Sequence, residues 1–157
     1  MQESKDYGRW QVVTTVDKFD PQGNRYDTFK GQGNLLLNEG INRLWDLVAG
    51  SSAAHYGNAD ARIGVGNGTA VAAADQTALQ GGSTAFAAMD AGYPTTGSSQ
   101  KVTFRSSFGS ADANYAWEEW TIDNGASDNK NLNRKVESMG TKASGTTWQI
   151  TVEISLS

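Results

Sequence analysis

The chain has 157 residues with no Cys, one His, two Pro, 18 Gly and five Trp, and a formal net charge of −4. A length near 150 fits one domain. The absence of Cys excludes disulfide scaffolds, thiolate metal centres and thiol nucleophiles, and a single His excludes any site built on several imidazoles. An acidic balance without basic runs argues against a nucleic-acid surface, and no apolar run approaches the 18 residues of a membrane helix.

In chain order, Trp10, Val12, Thr14 and Val16 alternate with polar neighbours, which predicts a strand. Asp20-Pro21-Gln22-Gly23 carries the residues of a tight turn, so Asn24 to Phe29 is expected to return as a second strand. The opening Met-Gln-Glu-Ser-Lys-Asp does not read as a signal peptide. Leu37, Ile41, Leu44, Trp45 and Val48 fall at helical spacing, predicting one amphipathic helix over about 35–49. Asn34 is its expected N-cap, Glu39 the partner of Arg43, and Gly50 its left-handed stop. An apolar stripe of that width needs a sheet or a neighbouring subunit to cover it.

Residues 51–100 differ from the rest. They hold 21 Gly plus Ala but only four charges, Asp60, Arg62, Asp75 and Asp90. One strand is legible there, Arg62–Gly66. Long uncharged connections are uncommon inside compact domains, so this stretch is expected to be a disordered tract or an extended arm. Tyr56, Leu79, Phe86, Met89 and Tyr93 are scattered through it, and low charge with scattered apolar residues favours an arm packed on a partner. Strands resume at Lys101–Phe108, Tyr115–Ile122 and Asn131–Ser138. The last has the clearest pattern: Trp148, Ile150, Val152, Ile154 and Leu156 alternate with Thr147, Gln149, Thr151, Glu153 and Ser155. Six or seven strands and one helix predict a mainly β, antiparallel β-sandwich or jelly-roll-like domain.

Candidate chemistry is sparse. Gly64-Val65-Gly66-Asn67-Gly68-Thr69 lacks both the third glycine of a dinucleotide fingerprint and the Lys of a phosphate loop. It reads as a turn whose glycines supply positive φ. His55 has only Ser51, Ser52 and Asp60 nearby in sequence, which is not a nucleophile elbow. Asp17, Asp20 and Asn24 offer oxygens at a turn but lack calcium-loop spacing. Glu118 and Glu119 lie between Trp117 and Trp120. On a strand they face opposite sides, so they cannot form a carboxylate dyad together. A glycan-binding or glycan-cleaving site could use one of them beside indole platforms. The favoured reading puts one indole in the core and the other at a subunit contact, with Arg105, Arg134 or Lys135 neutralising one glutamate. No catalytic, metal or cofactor set is expected.

Two stretches carry a resemblance. One runs Asn34-Leu35-Leu36-Leu37-Asn38-Glu39-Gly40-Ile41-Asn42-Arg43-Leu44, then Ala61 to Ala70 around Gly64-Val65-Gly66-Asn67-Gly68-Thr69, then Asp75-Gln76-Thr77-Ala78-Leu79. The other runs Thr103 to Gly109, Asn114 to Trp120, Leu132 to Val136 and Thr147 to Val152. Together they resemble small bacteriophage virion structural proteins, both capsid decoration (cement) modules and tail-fibre-associated modules. The resemblance implies no active site. It implies a virion location, a major capsid or tail protein as partner, and a homo-oligomer, expected as a trimer. The shell-binding parts would be residues 51–100 or the N-terminal ten residues. Tyr56, Leu79, Phe86, Met89, Tyr93, Trp117 and Trp120 are the expected partner contacts, with no nucleic acid, membrane or cofactor involved.

Overall fold

A computed structural model describes residues 6–51 and 54–157. Ser52 and residues 1–5 of the expected N-terminal shell-binding segment lie outside the described residues.

The described chain forms ten strands and one helix: β1 (Trp10–Phe19), β2 (Arg25–Gln32), β3 (Leu35–Leu36), α1 (Asn38–Val48), β4 (Arg62–Gly66), β5 (Thr84–Ala88), β6 (Thr95–Ser98), β7 (Lys101–Phe108), β8 (Ala116–Asp123), β9 (Asn133–Thr141) and β10 (Thr147–Leu156). They make two antiparallel five-stranded sheets, ordered β2-β1-β10-β7-β6 and β3-β9-β8-β4-β5. The fold is a β-sandwich, as the alternating strands predict. Period-two patterning gives the three central strands of the first sheet, β1, β10 and β7, one apolar face each. Val12 and Val16 of β1, Phe104 and Phe108 of β7, and Trp148, Ile150, Val152 and Ile154 of β10 all turn inward and are buried. β1 and β10 pair over their whole lengths, from Trp10 opposite Leu156 to Phe19 opposite Thr147.

The second sheet supplies Ile63, Val65, Trp120 and Ile122, which share one face because Ile63 lies opposite Ile122 and Val65 opposite Trp120. A register shift between Trp117 and Glu119 lets Trp117 turn inward as well. Its ring meets Phe108 and Trp148 edge-on, with both centroids 4.9 Å away. The expectation that the two indoles anchor opposite faces is therefore corrected. Both are fully buried in the core of one chain.

The arm expected over 51–100 is folded back onto the domain. β4 pairs with β8 and β5, and β6 extends the first sheet at β7. The segment's longest described stretch without strand is residues 67–83, a strap lying over the outer face of the second sheet. Its low charge suits contact with the chain's own sheet.

The helix begins later than predicted. Leu35 and Leu36 pair with β9 instead, and Leu37 is the N-cap, with no side-chain capping bond. Asn34 accepts a hydrogen bond from the Trp10 indole N–H (3.1 Å) and does not cap the helix. Glu39 accepts from the Asn131 backbone N–H (2.6 Å), and Arg43 pairs with Asp128 (2.5 Å) and Asp46, so the expected Glu39–Arg43 pair is not made. Gly50 does end the helix at φ +73°.

Candidate interaction surface

Most chemistry-bearing side chains flagged in the sequence are occupied by the fold. Glu119 lies on the outer face of β8, fully buried. Its carboxylate accepts from the backbone N–H groups of Gly68 (3.2 Å), Gln80 (3.0 Å) and Gly81 (2.7 Å) and from the Arg134 Nε (2.8 Å). Arg134, also fully buried, extends its guanidinium to Ala70 O (2.9 Å) and Gln76 Oε1 (3.0 Å). One ion pair therefore pins both ends of the strap, and of the three expected cations Arg134 is the partner. The glycines of the Gly64–Thr69 run serve close approach here. Gly66 and Gly68 do not carry positive φ; a Cβ on either would lie 2.5 Å from Glu119 Oε1. The turn reading is corrected accordingly: the carboxylate needs that space.

Further charges are paired around the same sheet. Arg62 forks onto buried Asp123 (Nε to Oδ1 3.0 Å) and stacks over the Phe86 ring at 4.5 Å. Asp20 accepts from the backbone N–H groups of Gln22 and Asn24, and Asp17 from Thr28 and Arg25, so this cluster closes the β1–β2 hairpin. Among the described residues no group of three or more His, Asp or Glu is placed to hold a metal ion. His55 lies on the surface, 3.7 Å from Asp60. Glu118 accepts from the Ser138 hydroxyl at the surface.

The expected partner contacts divide. Tyr56, Leu79, Met89, Trp117 and Trp120 are buried within this chain. The Tyr56 hydroxyl donates to Lys130 O (3.1 Å), and burial raises its pKa. Trp117 and Trp120 donate to Ala113 O (2.9 Å) and Glu137 Oε1 (3.0 Å). Neither indole is available to stack on a sugar or a receptor. Phe86 is exposed and Tyr93 half-buried, and each is already stacked with an arginine, Arg62 and Arg105 respectively.

The surface left unpaired lies elsewhere, on the helix. Gly40 is the only fully buried residue of α1, because its backbone sits against that of Leu132. Leu44 and Leu47 touch the core, while Trp45 and Val48 remain 66% and 76% exposed. Ile41, Leu44, Trp45 and Val48 line a groove of about 430 Å³ with Trp10, Leu36 and Leu156, and every lining side chain is apolar. A second groove of about 540 Å³ shares Trp10, Leu44 and Leu156 and runs on past Pro94 and Val102 to the core residues Phe104 and Ile154. The apolar surface therefore continues into the open end of the sandwich. With its N–H held by Asn34, the Trp10 indole presents an apolar ring to the groove. Exposed apolar surface that is contiguous, rather than scattered, marks an interaction site.

The helical stripe was the sequence signal for this surface, since its width required a cover. Trp10, Leu36 and Leu156 carry no such signal, because each lies on a strand and joins the groove only through packing. Comparison with protein-family models, with curated proteins and with solved structures finds no significant match to this chain.

Proposed function

We propose that this chain is a non-enzymatic structural subunit of a bacteriophage virion, a decoration (cement) protein that stabilises the capsid shell as a homo-oligomer. The observation that carries this reading is the contiguous apolar surface of α1, Trp10 and Leu156 on a domain whose buried Glu119, Arg134 and Asp123 are paired internally. Such a surface serves association, and decoration acts through area buried at many copies. The sequence resemblance to virion modules supplies the setting. Trp117, Trp120 and Glu119 are buried and engaged within the chain, which leaves Glu118 at the surface without the indole platforms beside which a glycan site was drawn.

Co-sedimentation with purified shells tests the proposal. Saturable binding that raises the shell's melting temperature is the expected result. Failure to co-sediment with any shell overturns decoration, and binding to host cells or tails without binding to shells transfers the chain to the tail-associated alternative.

A further inference from the structure

We propose that Lys142 and Asn114 are the reactants of an intramolecular cross-link, an isopeptide bond between the lysine Nζ and the asparagine Cγ. It ties the β7–β8 connection to the turn between β9 and β10. The cross-link needs no shell and no second copy, so it and the function proposed above can fail separately.

The structure holds the two groups side by side. Lys142 directly follows β9 and is 1% exposed. Its Nζ donates to Gly109 O (2.7 Å) and to Asn114 Oδ1 (2.8 Å). A C=O bond is about 1.2 Å long, so the Asn114 Cγ lies within about 4 Å of that nitrogen. Addition to a carbonyl starts from about 3–3.5 Å, which a small rotation of the carboxamide reaches. Asn114 Nδ2 donates to Ser110 O (3.1 Å), which keeps the amide oxygen on the lysine side. Two backbone bonds fix the facing segments, Lys142 N to Tyr115 O (3.0 Å) and Gly145 N to Ser110 O (3.1 Å). Ala113 adopts a left-handed φ of 50°, and its carbonyl accepts from the buried Trp117 indole (2.9 Å). That kink sets the backbone from which Asn114 reaches Lys142.

The surroundings suit the chemistry. Attack requires the neutral amine, and burial pushes the Lys142 pKa down, against the opposing charge of Asp112. The pair sits at the end of the aromatic cluster of Phe108, Trp117 and Trp148, since Gly109 follows Phe108 and Ala113 holds Trp117. In the step, the neutral Nζ adds to Cγ and the new C–N bond forms. A proton passes from Nζ to Nδ2, the Cγ–Nδ2 bond breaks, and ammonia leaves, taking up the proton that the lysine ammonium first gave up. Asp112 is the proton carrier: its carboxylate accepts from Gly109 N (3.1 Å), on the residue whose carbonyl holds Nζ. No oxidant, cofactor or second substrate enters. The bond joins positions 28 residues apart in a chain without Cys, and so restricts the unfolded chain as a disulfide does. Lys142 titrates only in chains where the bond has not formed.

Intact-mass spectrometry of the denatured full chain tests this directly. Most wild-type chains are expected to be lighter than the sequence mass by one ammonia. A protease digest should contain a branched peptide joining the segments that carry Asn114 and Lys142. Lys142→Arg and Asn114→Ala should each restore the full sequence mass. Asn114 is exposed, so its variant keeps the test decisive should Lys142→Arg disturb folding. Freshly purified Asp112→Ala should stay largely at the full mass, because a positioned acid–base group contributes about a hundredfold in rate. Wild-type chains at the full sequence mass overturn the proposal. So does an ammonia loss that persists in Asn114→Ala, as succinimide formation at Asn67-Gly68 or Asn124-Gly125 would give. An Asp112→Ala chain cross-linked as fully as the wild type overturns the assigned proton carrier.

Discussion

Glu119 illustrates how a carboxylate flanked by two indoles can serve architecture. Three strap N–H groups and a guanidinium satisfy its oxygens, so the desolvation of the carboxylate is offset by charge-assisted bonds. Removing one partner of such a pair leaves a buried charge alone. Glu119→Ala is therefore expected to cost about 3–5 kcal/mol in urea unfolding, with the amides of Gly68, Gln80 and Gly81 losing hydrogen-exchange protection first. Glu119→Gln, which keeps shape and one acceptor, should cost less. At Tyr115, burial and, to a lesser degree, the charge of Glu119 raise the phenol to about 12. Its hydroxyl donates to Val65 O (3.0 Å) in the neutral form. Tyr56 is shifted in the same direction by burial. Phenols raised in the folded state hold their stabilisation below the unfolded value of 10.0 and lose it as pH rises towards the folded value. The urea midpoint should fall between pH 10 and 12, and Tyr115→Phe should make that fall shallower. Lys142 acts in the opposite sense. Burial lowers its pKa, so its contribution grows as pH rises towards 10.5.

The two informative elements are the strap and the helix, and each is governed by close approach. Residues 67–83 lack the periodicity of a strand or helix because their contacts run through the backbone to side chains of another element. Asn38 N donates to Ala74 O (2.8 Å) and Asn131 Nδ2 to Thr77 O (2.8 Å), adding two further ties to the Glu119–Arg134 clamp. A pattern based on side-chain polarity cannot register such bonds. The helix, by contrast, shows its amphipathic stripe plainly, but its start is displaced because Leu35 and Leu36 pair with β9. Gly40 sets how near it lies to the sandwich: a Cβ there would fall 2.3 Å from Leu132 O. Gly40→Ala is expected to push α1 outward and destabilise by about 1–3 kcal/mol, read from denaturant midpoints, despite the better helix propensity of Ala.

At the scale of the whole molecule, a satisfied sandwich carries an unsatisfied helix face. Covering the exposed two thirds of Trp45 removes on the order of 100 Å² of apolar area, which contributes about 3 kcal/mol before the costs of association. A few such residues suffice for a micromolar contact. The alternation of β1, β7 and β10 determined by itself that this is an antiparallel sandwich with one buried face per strand, because period two is a local property of extended backbone. The helical stripe likewise determined that a cover was required. The tertiary structure decided where that cover is missing. It turned both β8 indoles inward through one register shift, and it spent the uncharged segment on the chain's own sheet. It also gathered Trp10, Leu36 and Leu156, distant in sequence, beside α1. The physical reason is that burial depends on which elements meet, and residues far apart along the chain share a surface only once the two sheets have closed on each other.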